Sequence, residues 1–115
     1  MSTFSLARGP RGVVGAWEVE GRIRCGSLER RENAHTASGE SEKCRFPSIA
    51  VGRDGAMLVA WIEDMGWKQK GTLAWRILDK TGKTIANGRG EEKGLRPWSL
   101  VQSVALPDGR FAILR

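Results

Sequence analysis

The chain has 115 residues, 40% hydrophobic and 28% charged, with 15 Gly, five Trp and no Tyr; this is the size of one domain with a modest core and the composition of a turn-rich globular protein, which excludes a disordered chain. The longest apolar run, Ala56 to Ile62, is seven residues, against the ~18 needed to cross a bilayer, so no membrane span is expected. Nineteen Lys and Arg against thirteen Asp and Glu give a formal charge of +6, which attracts polyanions in general, but the two signs are interspersed and argue against nucleic acid as the partner.

The N-terminal MSTFSLARGPRG has no charged segment followed by an apolar stretch. No secretory signal is therefore expected on the sequence as written, which places the chain in the cytoplasm or makes it part of something longer. The first hairpin is predicted within SLARGPRGVVGAWE, hinged at Gly12, and VVGAWEVEG is followed by RIRCGSL as the next strand. The segment LERRENAHTASGESEKCR alternates acids and bases and reads as a solvated loop, with His35 alone in it as an ordinary surface histidine. Cys25 and Cys44 lie 19 positions apart, not a metal-site spacing, and no His cluster accompanies them. No metal and no cofactor is expected. The two cysteines read as free or core thiols, with a disulfide left open if folding brings them together in an oxidising compartment.

The second hairpin is predicted within RFPSIAVGRDGAMLVAWIE. Met57, Val59 and Trp61 share one face of its second strand and Ala56, Leu58 and Ala60 the other, so both faces must be covered. The pairs Asp54-Gly55 and Asp108-Gly109 supply the positive φ of tight hairpin turns, which makes these aspartates turn formers and not catalysts. GTLAWRILD and KTGKTIAN follow as third and fourth strands. The TGKT within them is no phosphate-binding loop, because the earlier glycine of that motif would fall at Ile77 and no helix follows. SVALPDGRFAILR closes the chain as a third hairpin.

Aligned on Gly12, Gly55 and Gly109, the three hairpins are spaced 43 and 54 residues apart, and an insertion around DMGWKQKG accounts for about half of the longer second period. Such periods mark propeller blades or similar arrays. The expected fold is all-β: antiparallel four-stranded propeller-blade repeats, about two and a half blades of a partial β-propeller, in a single domain 1–115 with units at approximately 1–44, 45–96 and 97–115. Such a piece leaves apolar faces and a strand edge uncovered. It is then either part of a larger propeller or a homo-oligomer whose copies complete one, with a compact antiparallel sandwich as the structural alternative.

In an up-and-down blade, the loop entering the first strand and the loop joining strands two and three lie at the same end. That end gathers Arg45, Glu63, Asp64, Trp67 and Lys68 from the middle unit, Glu18 and Glu20 from the first, and Arg96 and Trp98 from the third. An aromatic ring among carboxylates and guanidiniums suits a sugar or an acidic ligand. Arg45, Glu63, Asp64, Trp67 and Arg96 are the candidate ligand-binding residues. Trp61 and Trp75 are expected in the core, Trp98 against the neighbouring unit, and Trp67 is evenly balanced between packing and binding. Glu63 and Asp64 are adjacent, so in an extended segment they point opposite ways and form no acid and base pair. No Ser, His and Asp grouping and no Cys and His grouping shows a local signature, and no catalytic residue is assigned.

The stretch RFPSIAVGRDGAMLVAW resembles the Arg-x-Pro strand and following hairpin of sialidase-like (BNR-type) β-propellers. Together with AWEVEGRIRCGSL before it and RPWSLVQSVALPDGRFAILR after it, the pattern is similar to the C-terminal part of a largely uncharacterised bacterial group of such proteins, over roughly Val13 to Arg115. The resemblance implies that Arg45 matches the arginine that grips the substrate carboxylate and that Asp64 lies in the loop of the acid/base carboxylate. It also implies secreted or envelope-associated full-length relatives. Sialidases use a Tyr nucleophile, and this chain has no Tyr and too few blades for the remaining arginines. The function expected is a non-catalytic or catalytically incomplete segment that binds an acidic glycan or a protein partner. The alternatives are a portion of a glycoside hydrolase completed by further blades, and a basic nucleic-acid-binding β domain that rests on net charge alone.

Overall fold

The structure, a computed structural model, describes residues 4–39, 43–63, 71–95 and 102–114. Among the described residues, ten strands form three antiparallel sheets. The first comprises β1 (Phe4–Gly9), β2 (Gly12–Val19), β3 (Arg22–Ser27) and β4 (His35–Thr36), in that order. The second comprises β5 (Cys44–Val51), β6 (Met57–Glu63), β7 (Gly71–Leu78) and β8 (Thr84–Leu95), and the third is the hairpin of β9 (Gln102–Ala105) and β10 (Phe111–Leu114). Within each sheet the strands pair in sequence order, so each sheet is a simple meander. Among the described residues, no helix is long and apolar enough to cross a membrane.

Turn chemistry sets these meanders. In the β5–β6 turn the Gly55 N–H donates to the Gly52 carbonyl and the Gly52 N–H to the Ala56 carbonyl, and the β7–β8 and β9–β10 turns repeat both bonds around Gly82 and Gly109. Gly55, Gly82 and Gly109 take φ of +88°, +91° and +89°, as the Asp-Gly pairs predict for two of them. The aspartates act as acceptors: Asp54 Oδ1 receives the Ala56 amide and Asp108 Oδ1 the Arg110 amide. Asp79 receives the Thr81 hydroxyl and the Thr81 and Lys83 amides. Those donors, the Thr81 hydroxyl foremost, hold its carboxyl below the usual range. Between β2 and β3, Glu20 and Gly21 both have positive φ, the requirement of a two-residue type I′ turn.

The sheets stack face to face through the expected alternation. Met57, Val59 and Trp61 pack with Ala16, Ile23 and Cys25 of the first sheet. Ala60, Ile62 and Leu73 form a second cluster, against which Phe46, Trp75 and Ile113 pack, so the opposite face of the second sheet covers the third. All seven residues of β6 are buried as a result. Gly88 lies opposite Trp75 on the neighbouring strand, where a side chain would collide with the indole.

Both stacking junctions carry the same hydrogen bond between the first strands of successive sheets. Ser5 Oγ accepts the Ile49 amide at 3.2 Å, and Ser48 Oγ accepts the Ser103 amide at 2.6 Å. The positions are equivalent: Ser5 and Ser48 each precede their turn glycine, Gly12 and Gly55, by seven residues, while Ile49 and Ser103 precede Gly55 and Gly109 by six. Ser103 adds a bond of its own by donating its hydroxyl to the Ser48 carbonyl.

The polar segment after β3 is not simply a solvated loop. Its His35 sits in β4, paired with Cys25, and its ring occupies the space a side chain at Gly82 would need. Ala37 and Ser38 are buried behind it, with the Ile23 amide donating to Ser38 Oγ. His35 is therefore a packing residue that ties the first sheet to the β7–β8 turn, not a solitary surface histidine. A two-residue strand gives no periodicity to read, which is why the sequence conceals it.

Cys25 and Cys44 are both buried thiols, not a disulfide. Burial pushes the Cys25 thiol up to about 11 from 9.0, outweighing the opposing charges of Arg24 and then Arg76. The unfolded thiol ionises near 9 while the folded one keeps its proton, so the unfolded chain binds fewer protons across that window and stability falls as pH rises. The urea midpoint is expected to drop between pH 9 and pH 11 more steeply in the native sequence than in Cys25→Ala. Equal slopes would contradict the buried neutral thiol.

Candidate functional site

Two of the five sequence candidates lie among the described residues. Asp64, Trp67 and Arg96 fall outside them. Glu63 ends β6 and Arg45 is the second residue of β5, at the end of the sheets that also carries the Glu20-Gly21 turn. That turn is tied to β5 by the Cys44 amide, which donates to the Gly21 carbonyl.

Register separates the two candidates. Glu63 is paired with Cys44, and Arg45 with Ile62, so they occupy opposite faces of one sheet. Glu63 is buried and its carboxylate is engaged. The Trp61 indole N–H donates to Oε1 at 2.9 Å, and the Arg89 guanidinium meets Oε2 at 2.7 Å. Trp61, Ala74 and Arg89 form one row across β6, β7 and β8, and Glu63 stands two residues along from Trp61 on the same face. The arrangement ties down a buried indole, and it leaves the carboxylate positioned by structure rather than offered to a ligand.

Arg45 is exposed and sits where β5 departs from regular pairing, between Arg45 and Ser48. Phe46 beside it has φ +54°, a left-handed conformation that a non-glycine residue seldom adopts and that a following proline further disfavours. Such strain costs roughly 1–3 kcal/mol and persists only where surrounding packing enforces it. Phe46 packs on the Ala60, Ile62 and Leu73 cluster, which supplies that enforcement. The bulge thereby fixes the backbone from which Arg45 projects.

The opposite, turn-bearing end holds a feature that sequence reasoning missed. A cleft of about 550 Å³ opens between the first two sheets, with Arg11, Arg30 and Lys80 on its wall against Glu29, and His35 at its side. Its lining comes from four separate turns and loops, so no local motif announces it. The excess of cations suits an anion, but the cleft presents no acid and base pair. Among the described residues no three His, Cys, Asp or Glu side chains gather as a metal site would require.

No family model matches this chain, and neither a curated protein nor a solved structure matches at a significant level.

Truncating Glu63 strands the buried indole N–H, at a cost of roughly 1–3 kcal/mol. Glu63→Gln keeps a carbonyl acceptor for the indole and loses only the pairing with half-exposed Arg89, a contribution under about 1 kcal/mol. Urea unfolding of the two variants is expected to show Glu63→Ala as clearly the more damaging. Equal losses would mean that charge, and not the indole bond, makes Glu63 matter.

Proposed function

We propose that this chain is a catalytically incomplete, sialidase-like β-propeller segment that serves as a structural and glycan- or protein-binding module. The observation that carries the reading is the repeated junction: two successive sheets meet the next through the same serine-to-amide bond at the same offset from the turn glycine. Propeller-type arrays are built by repeating one sheet-to-sheet contact, each unit touching only its neighbours.

Two observations favour binding over catalysis. The chain has no Tyr to serve as the nucleophile on which sialidase chemistry relies. Glu63, a carboxylate at the end where chemistry is expected, is buried and already held by Trp61 and Arg89. What this end offers a ligand is the exposed guanidinium of Arg45, whose planar fork matches a carboxylate or sulfate in bidentate fashion. An acidic glycan is the ligand class that fits, with Asp64, Trp67 and Arg96 as the further binding residues of the proposal.

The test is saturable binding to immobilised sialylated and sulfated glycans. A hydrogen bond to a charged group contributes roughly 1.5–3 kcal/mol, so Arg45→Ala is expected to weaken binding by about tenfold or more. A fluorogenic sialoside is expected to remain intact with the isolated chain. Turnover of that reporter, or glycan affinity indifferent to Arg45, would overturn the reading.

A further inference from the structure

The apolar residues left exposed by this stack are concentrated on one surface. Registers in the first sheet pair Phe4 with Trp17, Leu6 with Gly15 and Arg8 with Val13, which places Phe4, Leu6, Val13, Trp17 and Val19 on a common face. It is the face turned away from the second sheet, because Ala16, Ile23 and Cys25 on the other side form the shared core. Phe4, Leu6 and Val13 are 69%, 52% and 43% exposed.

Equivalence with the second sheet says what covers such a face. Counting from the paired serines, Leu6 holds the place of Ile49. Counting back four residues from Trp17 and from Trp61, each in the second strand of its sheet, Val13 holds the place of Met57. The cross-strand registers agree, since Leu6 with Gly15 answers to Ile49 with Val59, and Arg8 with Val13 to Val51 with Met57. Ile49 and Met57 are 3% and 6% exposed because the first sheet lies on them. Leu6 and Val13 therefore form the receiving half of a junction already built twice within the chain.

The supplying half recurs as well. At the two internal junctions it is presented by Ser5 and Ala7, then by Ser48 and Ala50. The same offsets from Gly109 lead to Gln102 and Val104 on β9, and the same register continues to Ala112 on β10. Ser103 and Ile113, the residues alternating with these, are those turned toward the second sheet. The β9–β10 hairpin thus carries the next supplying face in the series. The amide at the receiving position is that of Leu6.

We propose that this chain docks onto a second copy of itself head to tail, the outer face of β9–β10 on one copy covering the Phe4, Leu6 and Val13 face of the next. The proposal rests on the propeller-type reading above and adds the partner. The contact uses different surfaces on the two copies, so it grows into a ring if the rotation closes and into a filament if it does not. The internal junctions are the template for it, which is the reason for choosing a second copy over an unrelated protein.

A complementation experiment decides the matter. The variants are Leu6→Glu, which spoils the receiving face, and Val104→Glu, which spoils the supplying face; Leu6 is exposed and Val104 half-buried, and circular dichroism checks that each variant remains folded. Light scattering after gel filtration, at chain concentrations up to about 100 μM, is expected to give a multiple of the chain mass for the native sequence and a monomer for each variant alone. Mixing the two variants is expected to restore a dimer and nothing larger, because one intact face of each kind remains. A native monomer at that concentration, or variants that associate as the native chain does, would overturn the proposal. So would a mixture that stays monomeric while the native chain assembles. A native monomer whose Ile49 and Ser103 amides are still protected from exchange would sink the self-docking and leave the propeller-type reading standing. A monomer without that protection would remove both.

Discussion

The first strand of each sheet has a ladder partner on one side only. Its other edge carries backbone amides that stacking removes from water, and a buried amide without an acceptor costs roughly 1–3 kcal/mol. Serine in the preceding sheet meets that demand, from Ser5 to Ile49 and from Ser48 to Ser103. The bond also fixes register, because a one-residue slip would send every side chain of a strand to the opposite face. With the bond in place, Ile49 and Val59 fall on the face that meets the first sheet, while Ala60 and Ile62 meet the third. Hydrogen bonding and apolar packing thus select the same alignment, the kind of agreement between levels that makes a sequence specify one structure.

This constraint divides the chain's polar residues into those consumed by the stack and those left over. Glu63 belongs to the first group, since its carboxylate holds a buried indole and an arginine from two strands away. His35 belongs there too, filling the space that Gly82 leaves. Arg45 belongs to the second group, held outward at a bulge whose backbone is forced by the packing of Phe46. The cations around the cleft at the turn end are left over as well. What remains for a ligand is positive charge at both ends of the stack.

The hairpins were legible because their signals are local. Period-two alternation in AMLVAWIE and the Asp-Gly pairs need no knowledge of the rest of the chain, and the glycines took the positive φ that those pairs require. The recurrence of the hairpins was legible too, on the spacing of Gly12, Gly55 and Gly109. Less visible was β4, whose two residues have no pattern, and the junction serines, which look like any small polar residue until the neighbouring sheet is in place. The Trp61 to Glu63 bond was in principle readable, since residues two apart on a strand share a face. The cleft had no local signal, because its wall is assembled from segments as distant as Arg11 and Lys80.

One junction, built by serine and an edge amide, is used twice in the same register. Native-state hydrogen exchange read residue by residue tests it most directly. Ile49 and Ser103 are predicted to be protected well beyond the turn amides, with Ser5→Ala releasing Ile49 selectively and Ser48→Ala releasing Ser103 selectively. Exchange at both amides as fast as in the turns of the native chain, or protection indifferent to the two serines, would contradict the account.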